Sequence, residues 1–396
     1  MKLLIQVYSF LLRKIIVFFQ KHTKVNPTYL VFISDPDFSD NSRAFSDYLV
    51  KHGYTNKYKI FWIISDSRKY KNKYSGSNVR FLSNGLLGKF RNAYICSKAA
   101  YLFSTHHTPI PYPEQKKVGQ TFVRLWHGCS YKDKDADLKK RERVKKSFDI
   151  ALVAGPLFVK TKSYFWNCEE NEILAKGYPR YDWLLSEDDN AKMYAASLKG
   201  DADKLVIWMP TFRNHKGGCF KETQHLTQFP LMKNDDDWFE LDRVCREKRI
   251  KIIVKLQPQE KEYPICRAKF SNIKELSVCD MESKGTMLYP LLAVTDALIS
   301  DYSSVAVDYM IVNKPIAYCL DDYALYKDAR GFVVDDPREY MIGHHLYKLD
   351  DLLGFVCDIA ENKDVYAQKR ADIFDTLVYR SDCYCKELAD YLQISK

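Results

Sequence analysis

Nine short apolar runs punctuate the chain. They cover residues 29–34, 60–65, 101–104, 121–126 and 150–154, then 204–209, 251–256, 297–300 and 316–320. Each run is continuous rather than alternating, the pattern of a parallel strand buried on both faces. Segments of helical periodicity lie between them, for example 42–52 and 238–248. This alternation predicts an α/β protein built on doubly wound parallel sheets. It breaks once, at 184–203, a charged stretch that reads as a helix plus linker. Two α/β domains facing each other across a cleft are therefore expected, 25–190 and 191–396, behind a helix at 1–24.

That first helix has its own pattern. Residues 3–19 are the most apolar stretch, yet Arg13 and Lys14 interrupt them. A spanning helix needs about 20 apolar residues. No small-residue cleavage site follows, so removal as a signal peptide is not expected. On a helical projection Lys2, Gln6, Ser9, Arg13 and Gln20 fall within about 60° of one another. Leu4, Val7, Tyr8, Leu11, Ile15, Phe18 and Phe19 line the rest. The pattern is that of an interfacial anchor. A helix docked on the protein's own core would show it too.

Composition excludes some classes. Of 396 residues, 46% are apolar, too many for a disordered chain. The net charge of +10 is unevenly divided. Residues 1–200 hold 34 Lys/Arg against 18 Asp/Glu, and residues 201–396 hold 27 against 33. A basic first half points to an anionic surface or polymer. Its densest basic cluster is 132–146, with a weaker one at 57–73. No recognised nucleic-acid motif accompanies the charge, so nucleic acid is not the expected partner. The 11 cysteines are scattered, without CxxC pairs or zinc spacing, as suits a reducing compartment. Neither GxGxxG nor GxxxxGK[ST] occurs, and there is no G-x-S-x-G elbow. Asp135 and Asp137 sit in a charged run, and the adjacent His106 and His107 point apart, so no metal site is expected.

Candidate chemistry gathers at strand ends, where open α/β sheets bind ligands. Trp126-His127-Gly128 closes one strand, and a histidine there suits a hydroxyl-deprotonating base. Ser300-Asp301-Tyr302-Ser303-Ser304 lies between a strand and a helix start, a place that offers backbone N–H groups and hydroxyls to a phosphate and is equally apt for plain capping. Pro210-Thr211-Phe212-Arg213 and Lys255-Leu256-Gln257-Pro258 close two more strands. Gly177-Tyr178-Pro179-Arg180-Tyr181-Asp182 turns between the halves.

Together with Phe38-Ser39-Asp40-Asn41-Ser42-Arg43 near the start, Asp308-Tyr309, and Arg330-Gly331-Phe332 near the end, this ordered set resembles the CDP-glycerol glycerophosphotransferases of teichoic-acid and capsule synthesis. The resemblance runs from about Asp35 to the C-terminus. It implies a GT-B-like fold of two Rossmann-like domains and transfer of a polyol phosphate from CDP-glycerol, or CDP-ribitol, to a hydroxyl of a lipid-linked or saccharide acceptor, with release of CMP. It implies a peripheral enzyme on the cytoplasmic face of an anionic membrane.

On this reading His127 and Gln257 are catalytic. Arg213, Lys255, Asp301, Tyr302, Ser303, Ser304, Asp308 and Arg330 hold the donor. Asp40, Asn41, Arg43, Lys132 and Arg180 face the acceptor. A divalent cation is compatible with such chemistry, but no site for one is evident. Two departures stand out. Gln257 occupies a position where the family commonly has His, and Gln donates a hydrogen bond without carrying a proton. Cys129-Ser130-Tyr131 replaces the family's usual Thr-Pro. A nucleotide-sugar glycosyltransferase and a non-catalytic polymer-binding homologue share these features, because function lives in the site rather than the fold.

Overall fold

The computed structural model describes residues 2–106, 116–132, 147–211, 229–256 and 270–396. Two parallel sheets organise it. The first contains β1 (Asn26–Ile33), β2 (Lys59–Ile64), β3 (Val79–Ser83), β4 (Ala99–Ser104), β5 (Thr121–Arg124), β6 (Ile150–Leu152) and β7 (Ile173–Leu174), in the order β3-β2-β1-β4-β5-β6-β7. The second contains β8 (Lys204–Trp208), β9 (Ile250–Val254), β10 (Ile273–Glu275), β11 (Ala297–Ser300), β12 (Ile316–Cys319) and β13 (His344–Leu346), in the order β10-β9-β8-β11-β12-β13. Both orders reverse at their first strand. The crevices between β1 and β4, and between β8 and β11, are therefore topological switch points, where doubly wound sheets bind ligands.

The nine apolar runs are the nine interior strands. Most of their residues are buried, as in β8 and β9, where all but Lys204 are covered. Aromatic side chains fill the layers between sheet and helices. Phe32 stacks on Phe103 at 4.7 Å and on Trp62 at 5.4 Å in the first half. Trp208 meets Phe229 at 4.8 Å in the second. The four strands without an apolar run, β3, β7, β10 and β13, are the four sheet edges.

The N-terminal helix α1 (Lys2–His22) docks on the helix Gly88–Lys98. Ile16 is buried, Tyr8 Oη donates to the Leu86 carbonyl at 2.7 Å, and Phe19 meets Tyr94 at 5.3 Å. Phe10, Leu11, Val17 and Phe18 remain exposed. The helix thus has two apolar faces, one covered and one open. No helix among the described residues is long and apolar enough to cross a membrane.

The chain ends by returning to the first half. Tyr384 and Cys385 open the helix Tyr384–Tyr391, and their N–H groups donate to the two oxygens of Asp182 at 2.6 and 3.0 Å. Tyr101 Oη, on β4, reaches the Leu392 carbonyl at 2.6 Å.

Candidate functional site

The strand ends of the first sheet build one wall. The run at 121–126 leaves the sheet after Arg124, because Trp126 takes a left-handed backbone with φ 56°. Asn41 holds that turn. It is fully buried, and its amide donates to the carbonyls of Leu125 (3.2 Å) and Trp126 (2.9 Å). Its Oδ1 accepts the backbone N–H of Arg180 at 3.1 Å. Asp40, next to it, is also left-handed, with φ 56°. His127 therefore projects from a turn that is locked from below. Its ring lies face to face on His106, with centroids 4.3 Å apart and planes 11° from parallel, and 4.1 Å from the Trp126 ring.

Arg180 joins this wall to the second half. Its side chain is 3% exposed and carries two 2.6 Å ion pairs, one to Asp40 and one to Asp308. Its Nη1 also donates to the His127 carbonyl at 3.1 Å. Burial works against the charge, but Asp308 and Asp40 outweigh it and keep the guanidinium protonated. Asp308 is fully buried as well and accepts from Tyr181 Oη at 2.5 Å and from Tyr289 Oη. Burial, reinforced by Asp308, pushes the Tyr181 phenol well above its ordinary value.

Gly128 lies close against the second half. With φ 125°, a Cβ there would lie 2.6 Å from Ser304 Oγ and 2.9 Å from Arg180 Nη2. Only glycine admits that approach without displacing a neighbour.

The second wall is organised by Asp301, which is fully buried. Its carboxylate accepts the Thr211 N–H at 2.6 Å, the Thr211 hydroxyl, and the Ser303 N–H at 3.1 Å. It thereby clamps the loops after β8 and β11 at the switch point. Lys132 crosses from the first half, donates to Thr211 Oγ1 at 3.1 Å and forms a β-bridge with Phe332. Tyr302 is buried, donates to Asp322 at 2.9 Å and stacks near Tyr326 at 4.3 Å, a scaffolding position. Ser303 and Ser304 are half-buried, and Ser303 caps the helix Ser304–Tyr309 without using its side chain.

Most of the residues singled out in the sequence meet here. His127, Asp40, Asn41, Arg180, Asp308 and Ser304 form one contiguous group, and Asp301, Ser303 and Lys132 form a second. Arg180 and Asp308 bond to each other rather than standing open to a ligand. Lys255 follows β9, its N–H held by the Trp208 carbonyl at 2.9 Å. Arg43 turns away, 3.5 Å from Asp47 and over the Phe38 ring. Arg330 ends the helix Tyr323–Arg330, and its side chain lies outside the described residues. So do Arg213, Gln257, Asp135, Asp137 and the basic stretch 133–146. Among the described residues no group of three or more His, Cys, Asp or Glu could hold a metal.

Sequence reasoning set His106 aside. Its position two residues after β4, beside the switch point, is the signal that could have found it. Thr105, fully buried, lies 3.1 Å from His106 Nδ1 through its Oγ1.

The model of the CDP-glycerol:poly(glycerophosphate) glycerophosphotransferases matches residues 15–386. The chain belongs to this family. It is 25% identical over 377 residues to the teichoic acid ribitol-phosphate polymerase TarK of Staphylococcus aureus, covering 89% of this chain and 66% of that protein. It is 24% identical to the teichoic acid poly(glycerol phosphate) polymerase of Bacillus spizizenii, covering 84% and 83%. The chain thus spans slightly less than two thirds of the S. aureus protein. Among solved structures, the wall teichoic acid polymerase TagF superposes with a TM-score of 0.73 at 19% identity, over 96% of this chain and 93% of that one. An S. aureus MnaA–UDP co-structure superposes at 0.53 with 10% identity, over 93% and 98%. These likenesses establish a GT-B-like fold of two α/β domains.

Proposed function

We propose that this protein transfers a polyol phosphate from a CDP-polyol to an acceptor hydroxyl. Family membership frames the reading, and one observation carries it: the His127 turn packs against Ser304, so the base and the Asp301–Ser304 loop border the same space. In the proposed reaction His127 takes the proton of the acceptor hydroxyl. The hydroxyl oxygen attacks the polyol-bearing phosphorus, and a new P–O bond forms. The anhydride P–O bond breaks, and CMP leaves with the bridging oxygen. Ser303, Ser304 and Lys255 stabilise the phosphate charge, with Arg213 and Gln257 assigned the same task from the sequence. Stabilising that charge is the main source of rate in phosphoryl transfer.

CDP-glycerol is the expected donor. CDP-ribitol is the second reading, favoured by the ribitol-phosphate polymerase among the relatives. Incubation with each donor and a polyol-phosphate primer, read by product mass and CMP release, decides between them. One added unit marks a primase and a ladder marks a polymerase. No product and no CMP with either donor overturns the reading.

The reading extends to a membrane surface. Phe10, Leu11, Val17 and Phe18 of α1 share their open side with Arg13 and Lys14, and Leu86 and Leu87, also exposed, follow close by, the Leu86 carbonyl bonded to Tyr8 of the same helix. An apolar strip flanked by cations suits an anionic bilayer. Phe10→Ser with Phe18→Ser should weaken cosedimentation with anionic vesicles. Binding that is equal for both proteins would refute this.

A further inference from the structure

The sequence places Lys132 on the acceptor side. Its surroundings point elsewhere. The residue follows Tyr131, which is fully buried and whose hydroxyl donates to the Tyr340 carbonyl at 3.0 Å. The Tyr131 carbonyl accepts the Val333 N–H at 2.9 Å, and Lys132 itself forms the β-bridge with Phe332. This piece of the first half is thus woven into the second. Its ammonium ends beside the β8–β11 crevice, where Nζ donates to Thr211 Oγ1 at 3.1 Å. We propose that Lys132 is a donor-binding residue, a cation that the first half contributes to the diphosphate of the CDP-polyol. This rests on a CDP-polyol being the donor.

The directions of the hydrogen bonds support the assignment. The Thr211 hydroxyl donates to the Asp301 carboxylate, so it meets the Lys132 ammonium with a lone pair. Ammonium, hydroxyl and buried carboxylate form a line at the switch point. A diphosphate entering there meets the negative Asp301, and neighbouring anions repel. A cation at the same place offsets that repulsion, and residues 201–396, with 27 Lys/Arg against 33 Asp/Glu, are poor in them. A lysine brings a compact charge and three donors on a flexible stem, which suits phosphate oxygens whose charge grows as the P–O bond breaks. The contacts also close a ring. Lys132 joins Thr211, Asp301 joins Thr211 and Ser303, and Ser304 lies against Gly128, next to His127. One short segment, 127–132, therefore carries the proposed base at one end and the donor's cation at the other.

Ligand-observed NMR titration with CDP and with cytidine tests this without turnover. Lys132→Met should weaken CDP binding about tenfold, the loss expected of one hydrogen bond between charged partners, and leave cytidine binding unchanged. Lys132→Arg, which keeps a cation there, should lose less. In the unaltered protein CDP, and not cytidine, should slow the acetylation of Lys132 read by peptide mass, a measurement that needs no variant. Equal CDP affinity in Lys132→Met, an equal loss for CDP and cytidine, or no protection by CDP overturns the proposal. If the CDP effects appear but no CDP-polyol is turned over, the proposed function falls and Lys132 stands as a diphosphate ligand. If Lys132→Met turns over CDP-polyol as the unaltered protein does, the function stands and this assignment falls.

Discussion

The two walls of the cleft are preorganised by different means. The first holds its functional side chain on strained backbone. Phe38, Asp40 and Trp126 all have positive φ, and none is a glycine. Such conformations cost about 1–3 kcal/mol each and persist only where the surroundings over-determine them. Here Asn41 and Arg180 supply that constraint. The second wall contains no such residue at 209–211 or 300–304. It is shaped by one carboxylate, Asp301, gathering donors from two loops. The basic half thus aims a side chain, whereas the acidic half arranges a set of backbone and hydroxyl groups. A base needs a defined direction toward one proton, and a diphosphate needs several donors at once. The contrast is the one that the two proposed tasks would call for.

Removing His127 should have the largest effect on activity. His127→Ala is expected to reduce CMP release about a thousandfold while leaving the melting temperature close to normal. Turnover within tenfold of normal would remove it from the mechanism. Arg180→Ala should be the largest effect on stability. It leaves Asp40 and Asp308 without their shared partner, a loss of about 3–5 kcal/mol in urea unfolding. An unchanged midpoint would show that the walls do not depend on this link.

Gly128→Ala should come next. Its Cβ would press on Ser304 and Arg180, parting the walls, and activity should fall about a hundredfold because small misplacements are costly in catalysis. Near-normal kcat would mean that the approach at Gly128 is incidental. The smallest effect is expected for Asp301→Asn. The amide keeps an acceptor but sets an NH2 group against the donors of Thr211 and Ser303. CDP affinity, read by calorimetry, should weaken about tenfold, the equivalent of one lost hydrogen bond to a charged group. Equal affinity would make Asp301 a purely structural clamp.

Legibility in the sequence followed burial. Interior strands such as β9 are apolar on both faces, so a continuous run marks them. Edge strands are covered on one side only. In β10, Ile273 is buried while Lys274 and Glu275 are exposed, and a run of that kind carries no strand signal. The site divided along a similar line. His127 and Asp301 follow apolar runs directly, and Ser304 closes the short turn after the second, so their place near strand ends could be read. The Arg180–Asp308 pair joins residues 128 positions apart, and the His106–His127 stack depends on β4 and β5 lying side by side. Neither is a local pattern.

Local pattern therefore determined the fold class, the nine interior strands, the family and the loops proposed to carry chemistry. These depend on which residues a strand or turn can accommodate, and neighbouring residues record that. Tertiary structure decided what each side chain does. It paired Arg180 with Asp308 instead of a ligand, covered one face of α1 and left the other open, and laid His106 against His127. Charge, burial and stacking act through space: the Arg180–Asp308 distance was set when the two halves came together, and the His106–His127 distance when β4 and β5 paired.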